Sequence, residues 1–362
     1  MPLNYQFVIL LLRTVFFLLI SYGLLYFSYK YFSPDFGQSD FYHYYKMALE
    51  PLNFTVTESP FIYRQFSTVM TALVYETGLF YNIKISYVHE GIEQQLFFAF
   101  IVSNYLALLL TSVVVSKVVD LEIGKVTVLA PLFTGTLCYL SFGASTYVLT
   151  GLVEGWSWFL IALAYYAFKK ENLYLFIVVL MISLFQKEVV SMIFGVISAV
   201  YILLAYFDRK KQIDKKYVWF FMISIGTFFT YILIRKVLIP VGGFENQLDF
   251  NQLLHYLITY DFFDPRKLYI TVFSQNLFYL VLLLFGLNFF LSKNEKNRFH
   301  LLRTNFIIAL ITVCIVLFFI GMAAALGSNI GRIVLTTSPL SAIYIGYYLY
   351  LLERRSQVEK NV

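Results

Sequence analysis

Long apolar segments recur along the whole chain and are separated by short polar stretches. Most are roughly 18 to 25 residues long, which is the length that a helix needs to cross a hydrocarbon core of about 30 Å. They lack the alternating pattern of a membrane β-barrel. The pattern predicts ten membrane-spanning helices, at about residues 7–29, 96–116, 126–146, 150–168, 173–187, 188–207, 217–238, 271–292, 304–325 and 332–352.

The amino-acid composition supports this interpretation. Hydrophobic residues make up 60% of the 362-residue chain, whereas charged residues make up only 13%. This composition excludes a secreted disulfide scaffold, a cytosolic enzyme and a nucleic-acid-binding module. We therefore predict an all-α, polytopic transmembrane helix bundle that forms a single domain over residues 1–362.

Cysteine and histidine residues give no sign of metal or disulfide chemistry. The two cysteines, Cys138 and Cys314, lie within apolar segments, and the four histidines show no ligand spacing. A zinc site or a cysteine framework would need more ligands at closer spacing. We predict no metal-ligating residues from this pattern.

The distribution of basic residues orients the predicted helices. The loop at 208–216, the stretch at 293–303 and the tail with Arg354 and Arg355 are all rich in lysine or arginine. Basic loops tend to remain in the cytoplasm. With ten spans, both termini are then cytoplasmic, and the long loops at about 30–95 and 240–270 lie on the outer side of the cell membrane.

The first outer loop is too long to be without structure in a compact protein. We therefore predict helices along the membrane surface within it. The amphipathic segment 66–81 is the clearest candidate. If this segment instead crossed the bilayer, the chain would have eleven spans and its amino terminus would lie outside.

Ionisable residues gather near the predicted outer ends of the helices. Because charges at membrane depth are costly, such residues usually belong to a pathway, a substrate site or a partner contact. They come from distant parts of the chain but share one face of the membrane. We predict a site there, built from Asp40, Arg64, Glu154, Lys187, Glu188 and Arg332.

Asp40 is the candidate catalytic residue. An aspartate just outside the first helix could accept a proton as a general base or hold a cation. Tyr44, in the same tyrosine-rich stretch, could line a sugar site. The alternative is a surface turn that leads into an interfacial belt of aromatic side chains.

The Gln186-Lys187-Glu188 triplet interrupts a long apolar stretch that must cross the membrane twice. It therefore turns at the outer surface. A turn slightly inside the bilayer would need a polar cavity around it, which favours a functional site. The alternative is a solvated hairpin tip with a local ion pair.

Arg332 opens the last predicted helix, where its guanidinium and the helix dipole could together bind a phosphate. Arg64, shortly after Pro60, allows the same interpretation. Both residues could instead reach towards lipid headgroups. For Arg235 and Lys236, a role as headgroup anchors is favoured over a role in the site.

Several short motifs in this layout resemble the GT-C class of integral membrane glycosyltransferases. The stretch Pro60-Phe61-Ile62-Tyr63-Arg64 looks like a Pro-Phe-x-Tyr-Arg motif of bacterial mannosyltransferase-like members. Gly331-Arg332 followed by Pro339-Leu340 is similar to the start of their final helix, and Glu154 with Lys187-Glu188 is similar to their acidic and basic positions. The resemblance covers most of the chain. At Asp40, however, this sequence has a single acidic residue where many members of the class have an acidic pair.

The resemblance implies transfer of a sugar from a polyprenyl-phosphate or polyprenyl-diphosphate donor to a glycan, lipid or protein acceptor, in a bacterial inner or plasma membrane. Asp40 would be the base, and Arg64, Lys187 and Arg332 would bind the donor phosphate. Tyr44, Glu154 and Glu188 would support the site. No cofactor is certain, and a requirement for a divalent cation, Mg²⁺ or Mn²⁺, stays open.

Two other functions compete with this one. An O-antigen or exopolysaccharide polymerase is also a multi-spanning outer-face enzyme, but its largest loop is expected later in the chain. A transporter or lipid flippase would predict internal repeats and polar sites at the membrane midplane. No repeat is visible, and the charges gather at the outer face.

Overall fold

The computed structural model describes residues 3–31, 39–79, 82, 92–141, 143–149, 151–207, 214–242, 255, 259, 276–291, 304–325 and 330–359. Every regular element within these residues is a helix, as predicted. The α-helices are α1 (Leu3–Tyr31), α2 (Ser39–Leu49), α3 (Gln65–Glu76), α4 (Gln94–Ile123), α5 (Leu129–Leu140), α6 (Glu154–Lys169), α7 (Leu173–Ser183), α8 (Val189–Phe207), α9 (Lys215–Leu233), α10 (Asn276–Leu291), α11 (Thr304–Ala325), α12 (Ile330–Val334) and α13 (Ser338–Glu359). Two 3₁₀ turns (Phe61–Tyr63 and Leu335–Thr337) and two π-helical turns (Ala144–Val148 and Ile234–Leu238) complete them.

Four helical segments within the described residues are long and apolar enough to cross a membrane, which indicates a membrane protein. They are Gln6–Ser28, Gln94–Ile123, Val189–Phe207 and Lys215–Leu238. Four shorter apolar helices, Leu129–Leu140, Leu173–Ser183, Leu277–Leu287 and Asn305–Gly321, have 10 to 17 residues. Each of the ten predicted segments contains a helix, but the count of ten crossings stays a prediction.

Several helices are interrupted at one end, which is why they are shorter than predicted. The segment predicted at 126–146 leaves the α-helix after Leu140 and continues as the π-helical turn Ala144–Val148. The last segment begins with the short α12 and a 3₁₀ turn before α13, where Pro339 occupies a position that tolerates the missing N–H. The irregular backbone is concentrated at the end of the bundle where the predicted site residues lie.

The predicted first outer loop contains two helices, and their position along the membrane surface stays a prediction. α2 and α3 are joined through the 3₁₀ turn Phe61–Tyr63. The helix predicted at 66–81 is α3, which ends at Glu76, before Gly78 with φ +65°. Residues 80, 81 and 83–91 lie outside the described part, so the choice between ten and eleven spans is not decided here. Most of the predicted loop at 240–270 also lies outside the described residues.

α4 is the central helix of the bundle. In its most apolar stretch 72% of the residues are buried, whereas in the corresponding stretch of α1 only 17% of the residues are buried. α4 packs against α1, α3, α5, α6 and α13. The exposed side chains of α1 are large and apolar, including Leu19 at 70% and Tyr22 at 63%, as expected for a helix that faces lipid.

Ion pairs hold the helices together at the end that was predicted to be cytoplasmic. Arg13 donates to both carboxylate oxygens of Asp120, at 2.6 and 3.2 Å, and to the carbonyl of Thr127 at 2.5 Å. Lys169 pairs with Glu122 at 3.3 Å. Arg13 therefore pairs across helices, although it lies within a predicted span, and its side chain is 5% exposed.

We expect the Arg13→Met variant to lose about 3 kcal/mol of stability because it leaves the Asp120 carboxylate, which is 15% exposed, without its counter-charge. The Arg13→Met/Asp120→Asn double variant should recover most of that loss. The measurement is thermal unfolding of the detergent-purified protein. The exposed Lys215 provides a matched control, and Lys215→Met should shift stability by less than about 0.5 kcal/mol. A single variant as stable as the wild type would show that the pair is screened by solvent.

Candidate functional site

Arg332 lies between two carboxylates at the end of the bundle opposite to Arg13. Its Nη1 donates to Asp40 Oδ2 at 2.6 Å, and its Nε donates to Glu154 Oε1 at 2.6 Å. Lys187 Nζ donates to the same Glu154 oxygen at 2.8 Å. Four chain segments that are far apart in sequence therefore meet in one charged network.

Each member of this network comes from an element end. Asp40 lies in the first turn of α2, and Glu154 begins α6. Lys187 lies in the turn at 184–188 between α7 and α8, and Arg332 lies in the short α12. Because helix ends carry unpaired backbone groups, they are better able than helix centres to hold charges.

The close approach of α2 to the start of α6 depends on a glycine. Gly151 has φ +86°, and a Cβ atom there would lie 2.7 Å from the ring of Phe41. Phe41 is fully buried and follows Asp40 directly. A larger residue at position 151 would therefore push α2, and Asp40 with it, away from Glu154.

Gln186 holds the turn between α7 and α8 in place. Its Nε2 donates to the Val153 carbonyl at 2.6 Å and to Ser157 Oγ at 3.1 Å, while its Oε1 accepts from the Ser67 backbone N–H at 3.0 Å. The side chain is fully buried. Gln186 thereby ties α6 and α3 to the turn that presents Lys187.

A second group of site residues surrounds Arg64. The Arg64 guanidinium donates to the hydroxyl of Tyr44 and lies 5.7 Å from the ring centroid of Phe61. It also interacts electrostatically with Glu188. Tyr44 is buried, and this burial raises its pKa to about 12, against the opposing effect of Arg64. The Tyr44 hydroxyl therefore keeps its proton at neutral pH.

The predicted site residues thus lie together in the structure. Tyr44 and Arg64 interact electrostatically with Arg332, which links the second group to the first. The seven residues that the structure brings into one region are Asp40, Tyr44, Arg64, Glu154, Lys187, Glu188 and Arg332.

The contacts of Lys187 and Arg332 bear on the alternatives for these two residues. Lys187 pairs with Glu154, which is 33 residues away, so its ion pair is not the local one expected of a solvated hairpin tip. Arg332 is 12% exposed and binds two carboxylates of the chain. It therefore does not extend towards lipid headgroups.

Arg235 and Tyr231 belong to the same region but were not predicted as site residues. Arg235 Nη2 donates to Ser59 Oγ at 3.1 Å, and its guanidinium lies 5.3 Å from the Tyr231 ring centroid. Both residues interact with Glu188. Their spacing of four residues places them on one helix face, a signal that the sequence contained. The interpretation of Arg235 as a headgroup anchor missed these contacts.

The site carries four cations and three carboxylates, a net charge of +1, when Arg235 is counted with the predicted residues. Some of its buried polar atoms make no hydrogen bond to any of the residues that the structure describes. They are Arg64 Nε, Arg332 Nη2, Glu154 Oε2 and Glu188 Oε2. Buried donors without a partner are costly, so the two arginine nitrogens are suited to bind an anion.

Metal binding has no clear support in the described part of the chain. No group of three or more His, Cys, Asp or Glu side chains among the described residues is arranged to hold a metal ion. Asp40 and Glu154 are both bonded to Arg332, so the chain itself supplies their counter-charge. Whether the protein requires Mg²⁺ or Mn²⁺ stays open.

Comparison with protein-family models, with curated proteins and with solved structures finds no match to this chain. The likeness to GT-C glycosyltransferases therefore stays a resemblance of short motifs around Arg64, Glu154, Lys187 and Arg332.

The contacts of Gln186 predict a structural effect that can be measured without a substrate. We expect Gln186→Leu to destabilise the protein by about 2 kcal/mol because the buried Ser67 N–H loses its acceptor. Thermal unfolding in detergent measures this loss. Phe185→Leu, at a 37% exposed position in the same turn, is the matched control and should change stability by less than about 1 kcal/mol. Equal stability of Gln186→Leu and the wild type would contradict the anchoring role.

Proposed function

We propose that this protein is a membrane glycosyltransferase that moves a sugar from a polyprenyl-phosphate-linked donor to an acceptor hydroxyl. The observation that carries this proposal is the bonded network of Asp40, Arg332, Glu154 and Lys187. It combines a carboxylate that can accept a proton with fixed cations that can hold a phosphate. These are the two requirements of glycosyl transfer from a sugar phosphate.

Asp40 is the carboxylate best suited to act as the base. Its side chain is 24% exposed, whereas that of Glu154 is fully buried and bonded to two cations. An acceptor hydroxyl can therefore reach Asp40 but not Glu154. Glu154 is assigned a positioning role, because it fixes Arg332 and Lys187 relative to each other.

The cations are assigned to the donor. Arg332, Lys187 and Arg64 would bind the carrier phosphate, with Tyr44 and Glu188 holding Arg64 in place. In the proposed step the acceptor oxygen forms a bond to the anomeric carbon, and the bond from that carbon to the phosphate oxygen breaks. The acceptor proton passes to Asp40, and the polyprenyl phosphate leaves as an anion that the cations stabilise. A single displacement of this kind inverts the anomeric configuration.

We further infer ten spans, with both termini in the cytoplasm and the site at the outer face of the cell membrane. In support, the site lies at the bundle end opposite to the ion pairs of Arg13 and Lys169. Those ion pairs adjoin the basic loops, which tend to remain inside. Membrane lipids, the lipid-linked donor and a glycan, lipid or protein acceptor are the expected partners. The polymerase alternative is an outcome of the assay below.

Asp40→Asn tests the proposed base. We expect it to abolish release of polyprenyl phosphate from a panel of short-chain polyprenyl-phosphate hexoses, incubated with membrane acceptor lipids, because the amide cannot accept the proton. A general base contributes about 10²- to 10⁴-fold to a rate. Thermal unfolding should stay close to that of the wild type.

Glu50→Gln is the matched control, since this exposed carboxylate lies just after α2. It should keep full activity. Full activity of Asp40→Asn would contradict the assignment of Asp40. A wild-type protein that consumes no donor in the panel but joins preassembled lipid-linked glycans would favour the polymerase.

Cysteine accessibility tests the orientation. Single cysteines at positions 40, 187 and 329, with Cys138 and Cys314 replaced, should react with a membrane-impermeant maleimide in intact cells. A cysteine at position 212, in the basic loop, should react only after permeabilisation because that loop is predicted to be cytoplasmic. Labelling at position 40 from the inside alone would contradict an outer-face site.

A further inference from the structure

A cavity of about 700 Å³ lies at the bundle end opposite to the candidate site. One wall is the connection between α4 and α5, at residues 123–130, and the other is the last part of α13 around Tyr350 and Arg354. The cavity is remote from Asp40 and Arg332, and the proposed sugar transfer does not use it. Its size falls within the range of about 300 to 1,000 Å³ typical of ligand pockets.

The charged side chains of the cavity favour an anion. Among the described residues that line it, Lys125 and Arg354 are the cations and Glu353 is the acid, which leaves a net charge of +1. Lys125 Nζ lies 5.4 Å from the ring centroid of Tyr350, so this ring supports the ammonium group on one side. Cations of this kind bind a phosphate without the need for metal.

The wall beside these charges is held in a fixed position. The Thr127 carbonyl accepts from Arg13 at 2.5 Å, and the Thr127 N–H donates to Asp120 at 3.1 Å. Gly124, with φ +76°, ends α4 and turns the chain towards this wall. The cavity is therefore preformed, and binding does not require the connection to become ordered.

The same wall is apolar at its exposed edge. Val128 is 62% exposed and Leu129 is 68% exposed, and both line the cavity. Exposed apolar side chains next to cations at a helix end fit a molecule that has an anionic head and hydrocarbon chains. A soluble anion would make no use of Val128 and Leu129.

We propose that this cavity binds an anionic phospholipid. Its phosphodiester group contacts Lys125 and Arg354, and its acyl chains lie along Val128 and Leu129. Basic pockets between transmembrane helices on the cytoplasmic side bind anionic headgroups in this way. In the predicted orientation the cavity opens to the cytoplasmic leaflet, which carries the more negative surface. The assignment does not depend on the proposed sugar transfer.

Native mass spectrometry of the full-length, detergent-purified protein tests this proposal. The wild type should retain phosphatidylglycerol in preference to zwitterionic phosphatidylcholine. Lys125→Gln/Arg354→Gln should weaken phosphatidylglycerol binding about 10- to 30-fold, because each cation near a membrane surface strengthens binding several-fold. Both positions are exposed, so unfolding should be unchanged.

Lys170→Gln/Lys215→Gln is the matched control, since it removes the same charge from the same bundle end outside the cavity. This control should keep the lipid preference. A wild type without preference for phosphatidylglycerol, or equal losses in the two double variants, would overturn the proposal.

A second experiment distinguishes a lipid from a soluble anion, by competition with inorganic phosphate and by substitutions in the apolar wall. Val128→Gln/Leu129→Gln should weaken phosphatidylglycerol binding although it leaves every charge in place. Two results would show a soluble-anion site and contradict the lipid assignment. One is displacement of phosphatidylglycerol by inorganic phosphate at a concentration similar to that of the lipid, and the other is wild-type lipid binding by this variant.

Discussion

The arrangement of the helices at one end of the bundle depends on the charges that are buried there. An isolated charge in a low-dielectric interior is strongly unfavourable, so each must meet an opposite charge. Glu154 is fully buried and satisfies this requirement only because Arg332 and Lys187 reach it from two other segments. Arg332 in turn donates to Asp40. The ends of α2, α6, α12 and the turn before α8 are thereby required to converge.

This convergence explains why the helices are irregular at that end. A straight α-helix presents its side chains sideways, whereas the π-helical turns at Ala144–Val148 and Ile234–Leu238 alter the register just where Tyr147 and Arg235 approach the charged groups. Local π-helical turns often mark functional sites. At the opposite end, by contrast, Arg13 and Asp120 satisfy each other between regular helices. Among the described residues, irregular backbone and buried charged groups that lack some of their hydrogen bonds therefore occur together at one end of the bundle only.

The sequence allowed the helical class and most of the charged cluster to be predicted, since polar residues inside apolar segments stand out. Glu154 and Lys187 stand out in this way, whereas Asp40 is indicated by its place just outside the first helix. Their pairing could not be predicted, because Asp40 and Arg332 are 292 residues apart and nothing local joins them. The contacts of Arg235 with Ser59 and Tyr231 could not be predicted either, because an arginine at a helix end serves lipid contact and site contact equally well in a one-dimensional pattern. The break after Leu140 was missed because apolar content alone does not reveal where hydrogen bonding changes register.

The bond between Arg332 and Asp40 has a consequence for the order of events in the proposed reaction. While Arg332 Nη1 donates to Asp40 Oδ2, this carboxylate oxygen is occupied and is less available to an acceptor hydroxyl. A phosphate that binds Arg332 competes with Asp40 for the guanidinium, whereas Glu154 keeps the arginine in place through Nε. Donor binding would then free Asp40 Oδ2 to accept from the acceptor hydroxyl. The site would gain its base only when the leaving group is already held, which limits unproductive activation of the acceptor.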